Sequence, residues 1–343
     1  MKIIIHHFDQ NAHGIIRFSN HEIVAIYDER TELNGKSVRE LLNVNKDITI
    51  TSNFDEALKN KADMLITTGE GLYFTKPENV QDWKRNVKKA IEHKLSVYNM
   101  SKILYGDKTG EFKTLAKENN VKFEEASEVF GFEKFSEFAI KGLEHPVKTP
   151  VINFTGTSMN SGKITAMFVM KRELESLGKK VGVVGTEPSS VFMGADEQII
   201  PEVYPTMKGA PTIFGAIKKV ESENHPDIIL VGNQTGLRAP VLDVRESRAG
   251  AIVAWQILLG SSPTKIVLCS KWNMIEEIDP HLELIKNSSI KAPVVANIIN
   301  GLGCDKNKLP GILSGVEERF GLPTLDVISS PEKLGELAKI LLR

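Results

Sequence analysis

Short apolar runs alternate with amphipathic stretches along the first part of the chain. The strand-like runs read KIIIHHF, EIVAIYD, DITITS, DMLITTG and LSVYNM. A helical pattern of apolar positions extends from Asn79 to His93. Strands that alternate with helices predict a parallel sheet with crossover helices. We therefore expect a Rossmann-like α/β domain over residues 1–145.

A second series of the same kind begins after Leu143–Pro150, whose two prolines disfavour helix at the residues before them. Its apolar runs read VINFTG, KKVGVVGT, DIILVGNQ, KIVLCSK, APVVANIIN and LPTLDVI. Continuous apolar runs are typical of parallel strands that helices cover on both faces. We expect a second α/β domain over residues 146–343, with a helix from about Lys163 to Leu177.

The first domain lacks the glycine triplet that dinucleotide-binding domains carry after their first strand, since residues 9–14 read DQNAHG. Asp28, at the end of the second strand, is therefore interpreted as a strand-end or turn residue rather than a ribose ligand. His6, His7 and His13 have no cysteine or acidic residue at metal-ligand spacing, so we predict no metal site from them.

Composition narrows the class of protein. A chain of 343 residues with 41% hydrophobic residues is long enough for two cores. A net charge of −1 excludes an overall positive field for nucleic acid or anionic membrane. Cys269 and Cys304 lie beside apolar stretches, which favours reduced thiols and a cytoplasmic protein. The first eight residues match neither a signal peptide nor a membrane span.

The run Gly156–Lys163, GTSMNSGK, lies between the strand VINF and an amphipathic helix and is the clearest chemical motif. Glycines let such a loop wrap around a phosphate, backbone N–H groups and the helix N-terminus face the anion, and lysine adds a positive charge. The residues predicted to bind the phosphate-bearing cofactor are Gly156, Thr157, Ser158, Asn160, Ser161, Gly162, Lys163, Ile164 and Thr165.

Ile164 stands where nucleotide hydrolases place the serine or threonine that binds Mg²⁺. Thr165 comes one residue later, about 100° further round a helix. Metal-assisted phosphoryl transfer is therefore disfavoured. Five residues separate Gly156 from Gly162, a spacing that resembles dethiobiotin-synthetase-like P-loops.

Polar residues after the neighbouring strands are predicted to face the substrate, because ligands bind at the carboxyl edge of a parallel sheet. They are Thr186, Asn233, Gln234, Arg238 and Arg245. Glu187 or Asp196 is the predicted general base, on condition that burial or a neighbouring group raises its pKa. A surface-loop role for these two carboxylates, and a solvated helix start for Arg245, stay open.

Nearly the whole chain resembles a family once known only as a domain of unknown function and now called DgcN-like, after a D-glutamate N-acetyltransferase. The resemblance rests on HGIIR at residues 13–17, DEAL, ADMLITTG, GTSMNSGK and GLPTLDVI. The family loop reads Gly-Thr-Asp-Cys-x-x-Gly-Lys-Met-Thr, so Ser158 replaces its aspartate. Larger departures occur at Gly185–Ser190 and Val231–Thr235, where the family has Arg-Ala-Thr-Gly-Gln-Thr-Gly and Glu-Gly-Gln-Gly-Ser.

This resemblance implies acetyl-CoA as cofactor, with the P-loop holding a CoA phosphate, and N-acetylation of a small amino-acid substrate similar to D-glutamate. One alternative is a kinase or ligase of the dethiobiotin-synthetase type that uses ATP with Mg²⁺. Another is a non-catalytic module that binds a nucleotide or CoA. The expected partner is a small-molecule substrate, without nucleic acid or membrane, and homo-oligomerisation is left open.

Overall fold

The computed structural model describes residues 1–69, 77–101, 109–201, 204–239 and 250–343. The chain divides into two compact units. The N-terminal unit consists of Met1–Phe130 and Glu187–Gly194, and the C-terminal unit of Gly131–Thr186 and Ala195–Arg343. The boundary between residues 145 and 146 stays a prediction.

The N-terminal unit contains a six-stranded sheet in the order β3-β2-β1-β4-β5-β6. All of its strand pairs are parallel. The strands are β1 (Lys2–His6), β2 (Glu22–Tyr27), β3 (Ile50–Thr51), β4 (Met64–Thr67), β5 (Ser96–Asn99) and β6 (Phe123–Glu125). The predicted parallel sheet is confirmed, and β6 is an additional edge strand whose sequence, FEE, has no apolar run.

Helices connect these strands. They are α1 (Gln10–Phe18), α2 (Val38–Leu42), α3 (Phe54–Leu58), α4 (Pro77–Glu92), α5 (Gly110–Glu118) and α6 (Ala126–Val129). The prediction for α4 is correct to within two residues. Trp83 on this helix is fully buried and packs edge-on against Phe112, with ring centroids 5.4 Å apart. Aromatic contacts of this kind bury large apolar areas, so this contact holds α4 against α5.

The segment Glu187–Gly194 is part of the N-terminal unit, although in the sequence it lies between two strands of the C-terminal unit. Ser189 Oγ donates a hydrogen bond to Asn11 Oδ1 at 3.0 Å. A Cβ on Gly14 would lie 2.5 Å from the Met193 sulfur, so the Met193 side chain packs against α1 where the helix has no side chain.

The C-terminal unit contains a seven-stranded sheet in the order β13-β12-β11-β7-β10-β8-β9. All of its pairs are parallel as well. The strands are β7 (Val151–Gly156), β8 (Val181–Gly185), β9 (Glu197–Gln198), β10 (Ile228–Gly232), β11 (Lys265–Lys271), β12 (Val294–Asn300) and β13 (Thr324–Leu325). The chain order reverses beside β7, which makes its carboxyl end the switch point where ligands bind in such sheets.

The helices of this unit cover the sheet. They are α7 (Phe132–Glu144), α8 (Lys163–Ser176), α9 (Thr206–Asn224), α10 (Ala251–Ser261), α11 (Ile278–Lys286), α12 (Leu309–Phe320) and α13 (Leu334–Leu342). The predicted helix after the P-loop begins at Lys163, as expected. Helices α7 and α9 approach closely, since a Cβ on Gly215 would overlap the backbone carbonyl of Phe135.

Two further expectations concern cysteines and membranes. Cys269 and Cys304 are both free thiols, as predicted; the first is fully buried and the second partly so. Within the described ranges, none of the helices combines the length and the apolar character needed to cross a bilayer.

Candidate functional site

The P-loop joins the carboxyl end of β7 to the N-terminus of α8. Asn160 and Gly162 adopt positive φ values of 56° and 91°, which turn the loop back toward the helix. Gly162 is the N-cap residue of α8, and no side chain bonds to the first turn from that position. The first backbone N–H groups of the helix therefore point into the loop, where an anion is favoured.

Lys163 folds back across Gly156. Its ammonium group donates to the Ser158 carbonyl oxygen at 2.8 Å and to Ser161 Oγ at 3.4 Å. A Cβ on Gly156 would overlap Ser161 Oγ and lie 2.7 Å from Lys163 Cδ. The loop therefore requires glycine here, and the lysine, only 6% exposed, places its charge inside the loop.

Two strands on one side of β7 anchor the P-loop. Thr157 N–H donates to the Cys269 carbonyl at 2.9 Å, and the hydroxyls of Thr157 and Ser270 lie 2.9 Å apart. Asn300, at the end of β12, donates its amide to the Asn160 carbonyl at 2.9 Å. Ser270 and Asn300 were missed by the sequence analysis, although each is a polar residue at the end of a predicted strand.

The segment after β10 contacts the loop from the other side, as its topology predicted. A Cβ on Gly236 would overlap the Thr157 carbonyl and lie 3.0 Å from Ser158 N. Gln234 donates its side-chain amide to the Thr186 carbonyl, which links the ends of β10 and β8. The carboxyl ends of β7, β8, β10, β11 and β12 thus build one connected edge around the P-loop.

Comparison with known proteins identifies this architecture. The family model for the P-loop domain of DUF1611, a domain of unknown function, matches residues 139–335. The family model for the Rossmann-like N-terminal domain matches residues 31–128. The chain belongs to the DUF1611 family.

A crystal structure of a DUF1611 family protein from Anabaena variabilis ATCC 29413 is similar along nearly the whole length. It covers 99% of both chains, with a TM-score of 0.76 and 16% sequence identity. The septum site-determining protein MinD from Pyrococcus horikoshii, solved with Mg-ADP, aligns with 57% of this chain and 94% of its own, at 16% identity and a TM-score of 0.37. A search of the curated proteins returned no match. The Anabaena structure supports the two-domain fold of the DUF1611 family.

The predicted substrate-side residues of this DUF1611 chain take different roles. Asn233 is fully buried, donates to the Ala254 carbonyl at 3.1 Å and accepts from Gln234 N–H at 2.7 Å. It therefore holds the backbone beneath the site. Thr186 is also fully buried, but its hydroxyl has no hydrogen-bond partner within the part of the chain that the structure describes. A Cβ on Gly232 would lie 3.5 Å from this hydroxyl and 2.8 Å from Ile164 Cδ1.

Arg238 is engaged with helix α11 and the residues before it. Its guanidinium donates to the Glu277 carboxylate at 2.8 Å. The Glu277 backbone carbonyl accepts from Nδ1 of His281 at 2.7 Å, which fixes the proton on that nitrogen. Burial lowers the pKa of His281, so the ring is neutral. Arg245 lies outside the described residues.

The two predicted bases belong to different units. Asp196 accepts from Val183 N–H at 2.8 Å and from the Asn224 side chain at 2.6 Å, so both of its oxygens bind within the C-terminal unit, beside β8 rather than beyond its end. Glu187 belongs to the N-terminal unit, where its N–H donates to Ser190 Oγ at 3.2 Å. The hydrogen bonds that Asp196 accepts therefore come from residues outside the P-loop.

Cys269 lies directly beneath the P-loop but is not suited to be a nucleophile. The thiol is fully buried at the end of β11, and this burial raises its pKa to about 12. A neutral thiol is a poor nucleophile at neutral pH. Its backbone carbonyl, which accepts from Thr157, is the part of the residue that serves the site.

Proposed function

We propose that the protein is an acyltransferase whose P-loop binds a phosphate group of acetyl-CoA, and that the acetyl group goes to the amine of a small amino-acid substrate similar to D-glutamate. The start of α8 carries this proposal. There Lys163 lies inside the loop and the hydrocarbon side chain of Ile164 follows it. This arrangement offers a phosphate a positive charge and backbone N–H donors, which supports binding of the phosphate.

The environment of Ile164 favours a phosphate that is held without a metal ion. Mg²⁺ requires oxygen ligands in near-octahedral geometry, and Ile164 supplies none. Ser161 Oγ, the fully buried hydroxyl of the loop, already accepts from Lys163 at 3.4 Å. A CoA phosphate takes no part in the transfer, so it needs no metal to stabilise a developing charge. The family resemblance supports the same cofactor.

Acyl transfer forms a C–N bond and breaks the C–S bond of the thioester. The amine must lose one proton, which a base accepts and the departing CoA thiolate finally takes up. The proposed base is Glu187, which follows Thr186 directly in the chain, or Asp196, whose pKa is raised by burial. The Thr186 hydroxyl, which has no hydrogen-bond partner among the described residues, is the group that we assign to the substrate.

Calorimetric titration of the full chain with acetyl-CoA, in the presence of a chelator, tests the proposal. We expect binding without metal, and a loss of affinity of at least ~10-fold in Lys163→Ala, because a hydrogen bond to a charged group contributes roughly 1.5–3 kcal/mol. Lys171→Ala is the matched control, since this lysine lies on the same helix and pairs with Glu175. Release of CoA thiol on adding D-glutamate would then establish turnover.

The rival function is a kinase or ligase that uses ATP with Mg²⁺. Thr165 favours it, because this partly exposed residue is the hydroxyl nearest in sequence to Lys163 on the helix side. The same titration with ATP decides between them. Binding of ATP that depends on Mg²⁺ and is lost in Thr165→Val, with no binding of acetyl-CoA, would replace the acyltransferase by the kinase or ligase.

A further inference from the structure

Two histidines and a glutamate meet at the carboxyl edge of the N-terminal sheet. Strands β1 and β2 pair in parallel, with His6 opposite Tyr27. This register brings Glu29, two residues beyond β2, beside His7, which directly follows β1. His7 Nδ1 lies 3.0 Å from Glu29 Oε2, and one ligand atom from each of His6, His7 and Glu29 lies within 4.8 Å of the others.

These histidines are unusual in being adjacent in sequence and both buried. His6 is 1% exposed and His7 is 4% exposed. Their rings stack with centroids 3.9 Å apart and planes inclined by 30°. The two rings therefore lie close enough together for one nitrogen of each to approach the same ion.

The contact between His7 Nδ1 and Glu29 Oε2 engages one ring nitrogen of His7 and does not involve His6. Nδ1 of His6 is buried and makes no hydrogen bond within the described ranges. Buried polar atoms nearly always have a partner, and an exception calls for an explanation such as a missing ion or water. The orphaned nitrogen stands next to a histidine and a carboxylate that both bind metals readily.

Hydrogen bonds fix the backbone that carries these side chains. His7 N–H donates to the Thr68 hydroxyl at 3.3 Å, and that hydroxyl donates to the His7 carbonyl at 3.1 Å. Asp28, next to Glu29, accepts from Phe8 N–H at 2.8 Å and forms a salt bridge with Arg30 at 2.7 Å. Asp28 thus neutralises Arg30, and its own carboxylate is used for structure.

We propose that His6, His7 and Glu29 together bind one divalent transition-metal ion of the Zn²⁺ type. Imidazole nitrogens and a carboxylate are ligands that Zn²⁺ and Co²⁺ accept, and three protein ligands leave a fourth position open for water or a small anion. Zn–N distances of about 2.0–2.1 Å place tetrahedral ligand atoms roughly 3.3 Å apart. The widest pair must therefore close by at most about 1.5 Å, which side-chain rotation supplies.

Metal titration of the full chain tests this site. The protein is first freed of metal with a chelator, then titrated with Co²⁺ while the visible absorption of four-coordinate Co²⁺ is followed, and separately with Zn²⁺ by calorimetry. We expect one ion per chain. Glu29→Gln and His7→Gln should each weaken binding by at least ~10-fold, since changes around a metal centre reduce affinity by roughly 10–100-fold.

Matched controls separate this site from adventitious binding. Glu32→Gln makes the same change at an exposed acid three residues away, and His93→Gln removes an exposed histidine; both should leave the affinity unchanged. Absence of the Co²⁺ band in the wild-type protein, or equal loss in a control variant, would overturn the proposal. No acetyl-CoA or nucleotide is present, so the result is independent of the function proposed for the P-loop.

Discussion

The first strand, loop and helix of the two units follow in the same order, but the N-termini of the two helices differ. In each, a buried strand leads through a loop into a helix. In the N-terminal unit, Asp9 caps α1, and its carboxylate accepts from Ala12 N–H at 3.0 Å. In the C-terminal unit, Gly162 stands at the equivalent position of α8 and provides no capping side chain.

This difference determines which of the two helix N-termini is available to an anion. A helix N-terminus attracts negative charge, and in the N-terminal unit the carboxylate of the chain itself already takes that position. The lysine that follows Gly162 strengthens the attraction in the C-terminal unit. The N-terminus of α1 is thus occupied by a carboxylate of the chain, whereas the N-terminus of α8 has no capping side chain and is available to a phosphate.

The largest expected effect is a loss of stability when a side chain is added where the segment after β10 packs against the P-loop. Gly236→Ala should destabilise the C-terminal unit by about 3 kcal/mol, because the new Cβ overlaps the Thr157 carbonyl, and a backbone neighbour cannot move aside as a side chain can. Hydrogen exchange measured by mass spectrometry, which resolves the two units, gives the change in stability.

Gly311→Ala is the control for this substitution. Gly311 lies in α12, and a Cβ added there would meet no neighbouring atom within 4 Å, so alanine should stabilise the helix by roughly 0.5–1 kcal/mol. An unchanged stability of Gly236→Ala would show that the β10 segment does not pack against the P-loop as described.

A smaller loss of stability is expected at acid pH. It should arise from α1, the capped helix of the N-terminal unit. Burial, followed by the charges of Arg17 and Arg30, lowers the pKa of His13 on α1 from 6.5 to about 4. The folded state keeps this histidine neutral, so the unfolded state binds more protons below pH 6.5. The stability that His13 contributes is therefore complete above pH 6.5 and is lost as the pH falls toward 4.

This loss should reach about 2 kcal/mol near pH 4.5. His13→Gln removes the titrating group, so the variant should lose less stability than the wild-type protein between pH 7 and 4.5, as measured by urea unfolding at each pH. His93→Gln, an exposed histidine, should follow the wild-type curve. Parallel curves for wild type and His13→Gln would contradict the assigned pKa.

The smallest expected effect is the stability lost when Asp9, the N-cap residue of α1, is replaced. Asp9→Ala should destabilise α1 by about 1 kcal/mol, and Asp9→Asn by much less, because asparagine caps helices about as well as aspartate. Hydrogen exchange of the first turn of α1 reports the change. Equal losses in the two variants would mean that charge, rather than the capping hydrogen bond, stabilises the helix terminus.

Much of this fold was predictable because its signals are local. The apolar runs of β1, β7 and β11 and the loop GTSMNSGK indicate their structures without reference to any distant residue. The edge strands β6 and β9 were missed, since the sequences FEE and EQ gain their strand conformation only by pairing with a neighbour. Helix α1 was missed for a related reason, as DQNAHG reads as a loop until Asp9 is recognised as a cap.

The candidate site residues also differ in whether they are close together in the sequence. The residues of the P-loop are consecutive, so the sequence alone predicted which of them form the loop. Asp196 was predicted as a base from its place in the chain, and its hydrogen-bond partners, Val183 and Asn224, come from other elements that the local sequence does not indicate. Glu29 joined two histidines more than 20 residues earlier only because parallel pairing placed β2 beside β1.

The sequence by itself therefore determined the order of the elements and the chemistry of each short motif, since both depend on neighbouring residues alone. The tertiary structure decided which polar side chains are used internally and which stay available. That outcome depends on strand register and burial: a buried donor or acceptor must find a partner from whichever element lies beside it. Thr186 and His6, each with a buried polar atom left unpaired among the described residues, could be recognised only after folding brought their neighbours into place.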